Sequence, residues 1–290
     1  MKKIHVGFLL SYDYELLKYS LPPVYQFADR IYLAKDKNNK TWSGNSYHID
    51  PLFFIWLKEF DTENKIEIYE DDFSLPHLNA IENDTRERTM LSEKMGIGNW
   101  LIQIDSDEYF IDFEDFIKQL RKYNHYLDNP EKNKIQIFGW WLIIYKYTEN
   151  GILYVNKPLK AAFATNFPNY SCARRTDERV IYVNSLVLHE SVARTEKELE
   201  FKLKNWGHNK DVNPNFLEKW KSVNENNYKK MNNFYYIEPN RWKTLGYFPT
   251  KNLNEIKDLV LKSKINVSSF FLFKKNLGQW FKYIFKKKIN

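Results

Sequence analysis

The chain contains little cysteine and no long apolar run, and each shortage excludes a class of protein. A single cysteine, Cys172, among 290 residues excludes an internal disulfide and any multi-cysteine metal site. This usage fits a reducing compartment, and the thiol is expected to be a small buried apolar group. Since no run of about twenty apolar residues occurs, no segment is expected to span a bilayer. The apolar stretch 4–10 is short and leads into Asp13 and Glu15, which favours a first strand over a signal peptide and predicts a cytoplasmic protein.

Composition allows a large folded core and argues against nucleic-acid binding. Hydrophobic residues make up 43% of the chain, enough for one large α/β domain or one domain with an appendage. The net charge is +7, yet eight of the 44 basic residues and no acid lie after residue 258, which leaves 36 basic against 37 acidic residues before it. The body is therefore near neutral and the basic character belongs to the tail, so no nucleic-acid partner is expected.

Short apolar runs alternate with segments of helical spacing through the first part of the chain. Strands are predicted at residues 4–10, 30–34, 65–69 and 100–104, and helices at 16–28, 52–60 and 81–94. This alternation predicts an α/β protein with a parallel sheet. Later runs predict a helix at 113–122 and an antiparallel addition to the sheet from strands at 135–147, 152–155 and 185–189. Thr195, followed by Glu198, predicts a capping box at the start of a further helix.

The run Asn99-Trp-Leu-Ile-Gln-Ile-Asp-Ser-Asp-Glu-Tyr-Phe110 ends a buried strand in three carboxylates. Ligands of open α/β sheets gather beyond the carboxyl ends of the strands, where these acids would emerge. Residues two apart on an extended chain share a face, so Asp105 and Asp107 can point at one ion. Such a pair suits a hard divalent cation that also binds substrate phosphates. The alternative is a solvated acidic turn that caps a helix, and Glu108 correspondingly either orients a metal ligand or begins that helix.

The strand order, this aspartate pair and a later histidine together resemble a GT-A-fold glycosyltransferase of the family-2 type, as in bacterial surface polysaccharide synthesis. The resemblance covers roughly residues 1–245 and implies a mixed, mostly parallel sheet flanked by helices. Residues 246–290 would form a C-terminal helical, basic amphipathic extension. By this resemblance, Asp105 and Asp107 bind a Mn²⁺ or Mg²⁺ ion that holds the diphosphate of a nucleotide sugar. Asp107 is the more usual direct ligand.

The resemblance also implies residues that bind the donor. Tyr12 would contact the nucleotide base, and Asp36 would either bind uracil or serve as a plain turn residue. The lysine- and asparagine-rich turn after Asp36 departs from the acidic, serine-rich turn usual in the family. Arg86 and Arg88 lie where family members place an arginine that faces the donor, and a guanidinium suits a diphosphate. Because residues two apart on a helix diverge by about 200°, only one of the two can face the site.

The segment 188–208 carries the remaining candidates. His189 is expected to complete the metal shell, with His208 as the alternative and local hydrogen bonding as the other use of either. Glu190 lies where inverting members of the family place the general base, and its rivals are Asp177 and Glu178. Three cationic side chains follow that could face the departing diphosphate, Lys202 being slightly favoured: Arg194, Lys202 and His208.

Aromatic residues and the tail leave two further questions open. Four tryptophans offer either core packing or flat faces to an acceptor sugar: Trp140, Trp141, Trp206 and Trp242. In the tail, apolar residues recur three or four apart at 270, 273, 277, 280, 281 and 284, with lysines at 274, 275, 282 and 286–288. This pattern predicts an amphipathic helix that either lies in an anionic membrane interface or packs on the domain.

The expected function is therefore a metal-dependent glycosyltransferase, hexosyltransferase-like, that moves a sugar from a nucleotide-diphosphate donor, expected to be a uridine diphosphate sugar. The acceptor would be a glycan or lipid-linked glycan in surface polysaccharide biosynthesis, with peripheral contact to the inner face of a membrane. One alternative is a metal-dependent nucleotidyltransferase or phosphohydrolase, which also needs paired acids near a diphosphate. Another is a non-enzymatic carbohydrate-binding module.

Overall fold

A computed structural model describes residues 2–262 and 267–287, with side chains for 2–261 and 267–281. The predicted lysines at 282 and 286–288 and the apolar residue at 284 lie outside the described side chains.

The first half of the chain forms the parallel part of the sheet, as its alternating pattern predicts. The strands β4, β1, β2 and β3 lie side by side in this order, and Phe8 is opposite both Leu33 and Ile104. The carboxyl ends of β1 and β4 therefore emerge next to each other. In chain order the elements are β1 (Ile4–Leu9), α1 (Leu17–Ser20), α2 (Pro22–Tyr25), β2 (Arg30–Asp36), α3 (Pro51–Phe60), β3 (Ile66–Asp71), α4 (Ala80–Met95) and β4 (Trp100–Ile104).

One predicted helix of this half is wrong in extent. The segment 16–28 forms two short helices, because Pro22 opens α2 and cannot continue α1. The long helix α4 matches its prediction and is stopped at both ends. Asn79 and Glu82 form a capping box at its start, and Gly96 follows its end at a φ of +87°.

The second half adds antiparallel strands that the sequence pattern predicts only in part. The elements are β5 (Glu108–Phe110), α5 (Phe113–Arg121), β6 (Ile135–Tyr147), β7 (Ile152–Val155), β8 (Leu159–Thr165), β9 (Tyr170–Cys172), β10 (Arg175–Thr176), β11 (Arg179–His189), α6 (Glu196–Asn205), α7 (Phe216–Ser222), β12 (Leu245–Phe248), α8 (Leu253–Lys262) and α9 (Ser269–Lys287). The α/β prediction is confirmed, since the described residues form a ten-stranded mixed sheet flanked by helices.

An unpredicted strand joins the two halves. β8 lies between β4 and β6 and is antiparallel to both. β11 then pairs in parallel with β6, and β5 pairs with β11. The last residue of β11, His189, is thereby opposite Glu108, the residue that follows the aspartate pair. The sheet itself thus brings the segment around residue 189 to the aspartates.

The expected boundary at residue 245 falls inside β12, which pairs with β7. α8 follows and buries Ile256 and Val260 in one cluster with Tyr109 and Leu142, so the packed core continues to residue 260. Among the described residues, no helix combines the length and apolar character needed to cross a bilayer.

Candidate functional site

A cavity of about 1140 Å³ opens beyond the carboxyl ends of β1 and β4. It is bordered there by the segment that follows β1, up to Asp13, and by the turn 105–107. From the turn it runs past β6 and β8 to α9. Both aspartates of the predicted pair line it, so the structure places them at the sheet edge where the sequence predicted a ligand site.

Asp107 is almost fully buried and is surrounded by positive groups. Its Oδ2 accepts from Lys202 Nζ at 2.6 Å and from Arg194 Nη2 at 2.8 Å. The predicted capping box between Thr195 and Glu198 starts α6, whose second turn carries Lys202. Burial disfavours the charge of Asp107, but Lys202, His189 and Arg194 outweigh it and hold its pKa well below the usual range.

Asp105 is paired with a second set of cations. Its Oδ1 lies 2.9 Å from Arg88 Nη2 and 3.8 Å from Arg174 Nη1. Arg88 also donates to Asp84 at 2.5 Å, and Arg174 contacts both oxygens of Glu108. Burial opposes ionisation, but the two arginines dominate and lower the pKa of Asp105. Each aspartate therefore stays negative beside two cations.

The residues of a metal site are present in part. His189 Nε2 lies 3.5 Å from Asp107 Oδ1, the oxygen turned away from Lys202, and His189 Nδ1 is buried without a hydrogen-bond partner in the described structure. Two ligands of one ion, each about 2.1 Å from it, lie roughly 3.0–3.5 Å apart, so Asp107 and His189 fit neighbouring positions. No group of three or more His, Cys, Asp or Glu within the described ranges is arranged to hold an ion. Phosphate oxygens and waters would have to complete the shell, as is usual for Mg²⁺ beside a diphosphate.

The three carboxylates predicted as candidate bases do not line the cavity, whereas a fourth carboxylate does. Glu190 is 6% exposed and does not line the cavity, and its oxygens accept from Tyr147 and Arg194. The rivals Asp177 and Glu178 do not line it either. Asp13, which the sequence pattern did not single out, does line it and lies 3.9 Å from Arg194. Burial and the charge of Asp107 raise the pKa of Asp13.

The predicted donor residues separate into those that line the cavity and those that do not. Tyr12 lines it and packs edge-on against Phe201. Arg88 lines it too, whereas Arg86 donates to the backbone oxygens of Asp72 and Phe73 outside it.

Asp36 lines the cavity but is engaged as a turn residue. Its carboxylate accepts from the backbone N–H groups of residues 38, 40, 73 and 74. Each oxygen thus already accepts two backbone donors, which leaves little capacity for a nucleotide base.

Contacts place three further residues that the sequence singled out. Glu108 neither begins a helix nor faces the cavity, because it opens β5, is 0% exposed and holds Arg174. His208 lines the cavity and lies 3.3 Å from Asp211. Cys172 is exposed at the cavity wall, not buried, because the short β9–β10 hairpin lies outside the core.

The four candidate tryptophans, Trp140, Trp141, Trp206 and Trp242, all border the cavity. The ring of Trp141 lies 4.7 Å from that of His189 and 5.4 Å from the Arg174 guanidinium carbon, so it packs directly against the charged site. Its indole N–H and that of Trp206 are buried and have no partner in the described structure.

Comparison with known proteins adds little to this geometry. No protein-family model and no curated protein matches the chain. Among solved structures, mannose-6-phosphate isomerase from Helicobacter pylori is similar over part of the chain, at 12% identity and a TM-score of 0.31. The matched part covers 54% of this chain and 56% of the isomerase. A likeness this weak bears on neither fold nor function.

Proposed function

We propose that the protein is a GT-A-type glycosyltransferase that transfers a sugar from a nucleotide-diphosphate donor, with a uridine diphosphate sugar as the first candidate, to an acceptor hydroxyl in surface polysaccharide assembly. The observation that carries this proposal is one cavity lined by two ionised aspartates and by three cations that contact them, Arg88, Arg174 and Lys202, while a fourth cation, Arg194, contacts Asp107 from behind the lining. A diphosphate is the ligand that such a mixture of a metal-binding carboxylate and buried cations suits best.

The cations would act on the departing diphosphate. Arg88 and Lys202 line the cavity, and each is fixed by carboxylates on a helix or turn. Positive groups held in place before the reaction stabilise charge as it develops, because they need no reorganisation. Asp107 and His189 would hold the divalent cation, which when bound neutralises further charge on the leaving diphosphate.

The general base is a carboxylate that reaches the acceptor. Asp13 is the first candidate, since it lines the cavity and its raised pKa favours proton uptake. It would take the proton of the acceptor hydroxyl while that oxygen bonds to the sugar carbon and the bond to the diphosphate breaks. Glu190 would then serve as a positioning residue, because it fixes Arg194 against Asp107.

The size of the cavity favours transfer over hydrolysis. Pockets for a single small ligand measure about 300–1000 Å³, and this cavity, at about 1140 Å³, extends well beyond the aspartates along β6 and β8. We call the part of the cavity that lies along β6 and β8 next to α9 the second compartment. A phosphohydrolase does not need a compartment of this kind. The aromatic wall of that compartment suits a sugar.

A panel of nucleotide sugars with Mn²⁺ or Mg²⁺ tests the proposal. Slow release of nucleoside diphosphate and free sugar is expected for one donor, since water can replace the acceptor. Release of nucleoside monophosphate and sugar phosphate would instead identify a phosphohydrolase. If no nucleotide sugar is bound or turned over with either metal, the proposed function is wrong.

A further inference from the structure

The C-terminal helix α9 forms part of the cavity wall. Asn276 on this helix bonds through its side-chain amide to the backbone N–H and C=O of Tyr182 in β11, at 2.8 and 2.9 Å. Five residues before it, the ring of Phe271 lies 5.7 Å from that of Trp140. Phe271 and Lys275 both line the cavity that holds the aspartates. The helix is therefore fixed to the sheet on one side and borders the second compartment.

The other side of α9 exposes large aromatic residues. Phe270 is 77% exposed, Phe273 65%, Phe281 48% and Trp280 45%. Aromatic rings grouped in this way on one helix mark an interaction surface, since folded proteins rarely expose contiguous apolar patches. Lys274 is exposed beside them, and the chain after residue 258 has eight lysines and no acid. The surface therefore suits an apolar partner that carries negative charge.

Charge is divided unevenly within the cavity. The acidic residues that line it all lie around the carboxyl ends of the parallel strands and on α4: Asp13, Asp36, Asp84, Glu87, Asp105 and Asp107. The compartment next to α9 has no acid among its described lining residues. It has cations from four segments of the chain, among them Lys157, Arg175, Lys243 and Lys275. The compartment that would receive the acceptor therefore attracts anions.

We propose that the acceptor is a sugar carried on an anionic, phosphate-bearing lipid, and that α9 lies in the headgroup region of the bilayer that presents it. The exposed rings would enter the interface while the lysines contact acidic headgroups. Phe271 and Lys275 on the inner side of the same helix then border the path from the bilayer to the aspartates. The identity of the acceptor depends on the proposed function, whereas membrane binding does not.

Vesicle binding by the full chain tests the membrane surface. Phosphatidylcholine vesicles with and without phosphatidylglycerol serve as the probes, and sedimentation measures the bound fraction. We expect binding to the anionic vesicles that weakens at least tenfold in the double variant Phe273→Ser/Phe281→Ser and falls with added salt. The matched control is Leu52→Ser/Ile55→Ser, because these residues are 67% and 55% exposed on α3 and lie away from α9.

Three outcomes would contradict membrane binding by α9: no binding to anionic vesicles, equal binding to neutral vesicles, or an equal loss of vesicle binding in the control variant. Circular dichroism of each variant separates unfolding from lost binding, and the single variant Phe273→Tyr, which keeps the aromatic ring, should retain binding.

A soluble lipid phosphate tests the acceptor compartment. Dodecyl phosphate, dodecyl maltoside and inorganic phosphate are titrated separately while tryptophan fluorescence is recorded, since Trp140 and Trp242 border this compartment. We expect dodecyl phosphate to bind, at least tenfold more tightly than the other two. Its binding should weaken at least fivefold in Lys157→Gln/Lys243→Gln and hardly change in the control Lys210→Gln/Lys229→Gln. Equal affinity for the maltoside would exclude an anionic acceptor, and equal affinity for inorganic phosphate would exclude the lipid. If the donor panel succeeds and this titration fails, the proposed function stands and the lipid-linked acceptor is wrong. If the donor panel fails, the proposed function is wrong, and the vesicle experiment alone decides whether α9 binds membranes.

Discussion

The two halves of the cavity differ in charge and in how the chain assembles them. The half at the parallel strands holds the acids, and most of these lie directly after a strand or on the neighbouring helix α4. The half at the antiparallel strands holds aromatic and basic residues brought together by pairings between distant segments, such as β8 with β4. The cations of the charged site mostly come from that later part of the chain: Arg174, Arg194 and Lys202. The local sequence pattern therefore places the acids, whereas tertiary packing brings most of the cations to them.

The largest effect is expected from removing Asp107, the acid that Lys202 and Arg194 both contact. Asp107→Asn should reduce metal-dependent release of nucleoside diphosphate at least about a hundredfold, because the neutral amide is a poor ligand and leaves Lys202 and Arg194 without their shared partner. The variant should stay folded by circular dichroism. Asp128→Asn is the control, since this exposed carboxylate pairs with Lys2 at the surface. Full activity in Asp107→Asn would contradict its assignment.

The same division explains what could be predicted from the sequence. The strands β1, β4, β6 and β7, the helix α4 and the capping box of α6 follow from local periodicity and capping residues, and the structure confirms them. β8 and β12 have apolar residues of their own, yet their places depend on partners far along the chain. Local patterns carry no information about such pairings.

The candidate site follows the same rule. The aspartate pair is visible because a buried strand precedes it. Asp13 gave no signal beyond its place after β1, and only the fold shows that it lines the cavity whereas Glu190 does not. The Arg174 contact to Glu108 was equally hidden, because residue 174 lies in a short hairpin without any motif. Asp13 could have been found only from the expectation that β1 and β4 are neighbours in the sheet, because it follows the end of β1 as the aspartate pair follows the end of β4.

A second prediction compares the two arginines of α4. Arg88→Met should lower the free energy of unfolding by about 3 kcal/mol, because it removes the cation that contacts the buried carboxylate of Asp84 and leaves Asp105 with only the longer contact to Arg174 among its described partners. It should also weaken donor binding. Arg86→Met is the matched control on the same helix and should change stability by about 1 kcal/mol and donor binding not at all. Chemical denaturation and donor titration of both variants measure this, and equal effects would refute a special position for Arg88.

A third prediction compares two glycines, one in the parallel and one in the antiparallel part of the sheet, by what an added Cβ would contact. A Cβ on Gly151, between β6 and β7, would lie 2.1 Å from the backbone oxygen of Phe248 in β12. A Cβ on Gly7 in β1 would lie 2.7 Å from Leu91 Cδ2, the end of a flexible side chain. Because backbone yields less readily than a side-chain end, Gly151→Ala should cost about 2–3 kcal/mol and Gly7→Ala about 1 kcal/mol. Thermal unfolding of the two variants checks the order, and the reverse order would contradict it.

A pH dependence of the free energy of unfolding is expected from Glu87, a buried acid of the parallel half. Burial raises the pKa of Glu87 to about 8, although the Trp42 indole donates to its carboxylate at 2.6 Å. Between the ordinary pKa of about 4.5 and this value, the folded protein holds a proton that the unfolded chain has lost. Unfolding then releases a proton, so this contribution to stability is full below pH 4.5 and is lost as the pH rises to 8.

Glu87→Gln resembles the protonated form at every pH and can still accept from Trp42. We therefore expect it to differ from the wild type by less than about 1 kcal/mol at pH 5 and to exceed its stability by roughly 4 kcal/mol at pH 8. Urea denaturation at pH 5, 6.5 and 8 measures the difference, with Glu93→Gln, an exposed site on the same helix, as the control. If the curves of wild type and Glu87→Gln run parallel across this range, Glu87 is ionised in the folded protein. The acidic half would then carry one more negative charge at neutral pH than a protonated Glu87 allows, and its contrast with the basic half next to α9 would be larger.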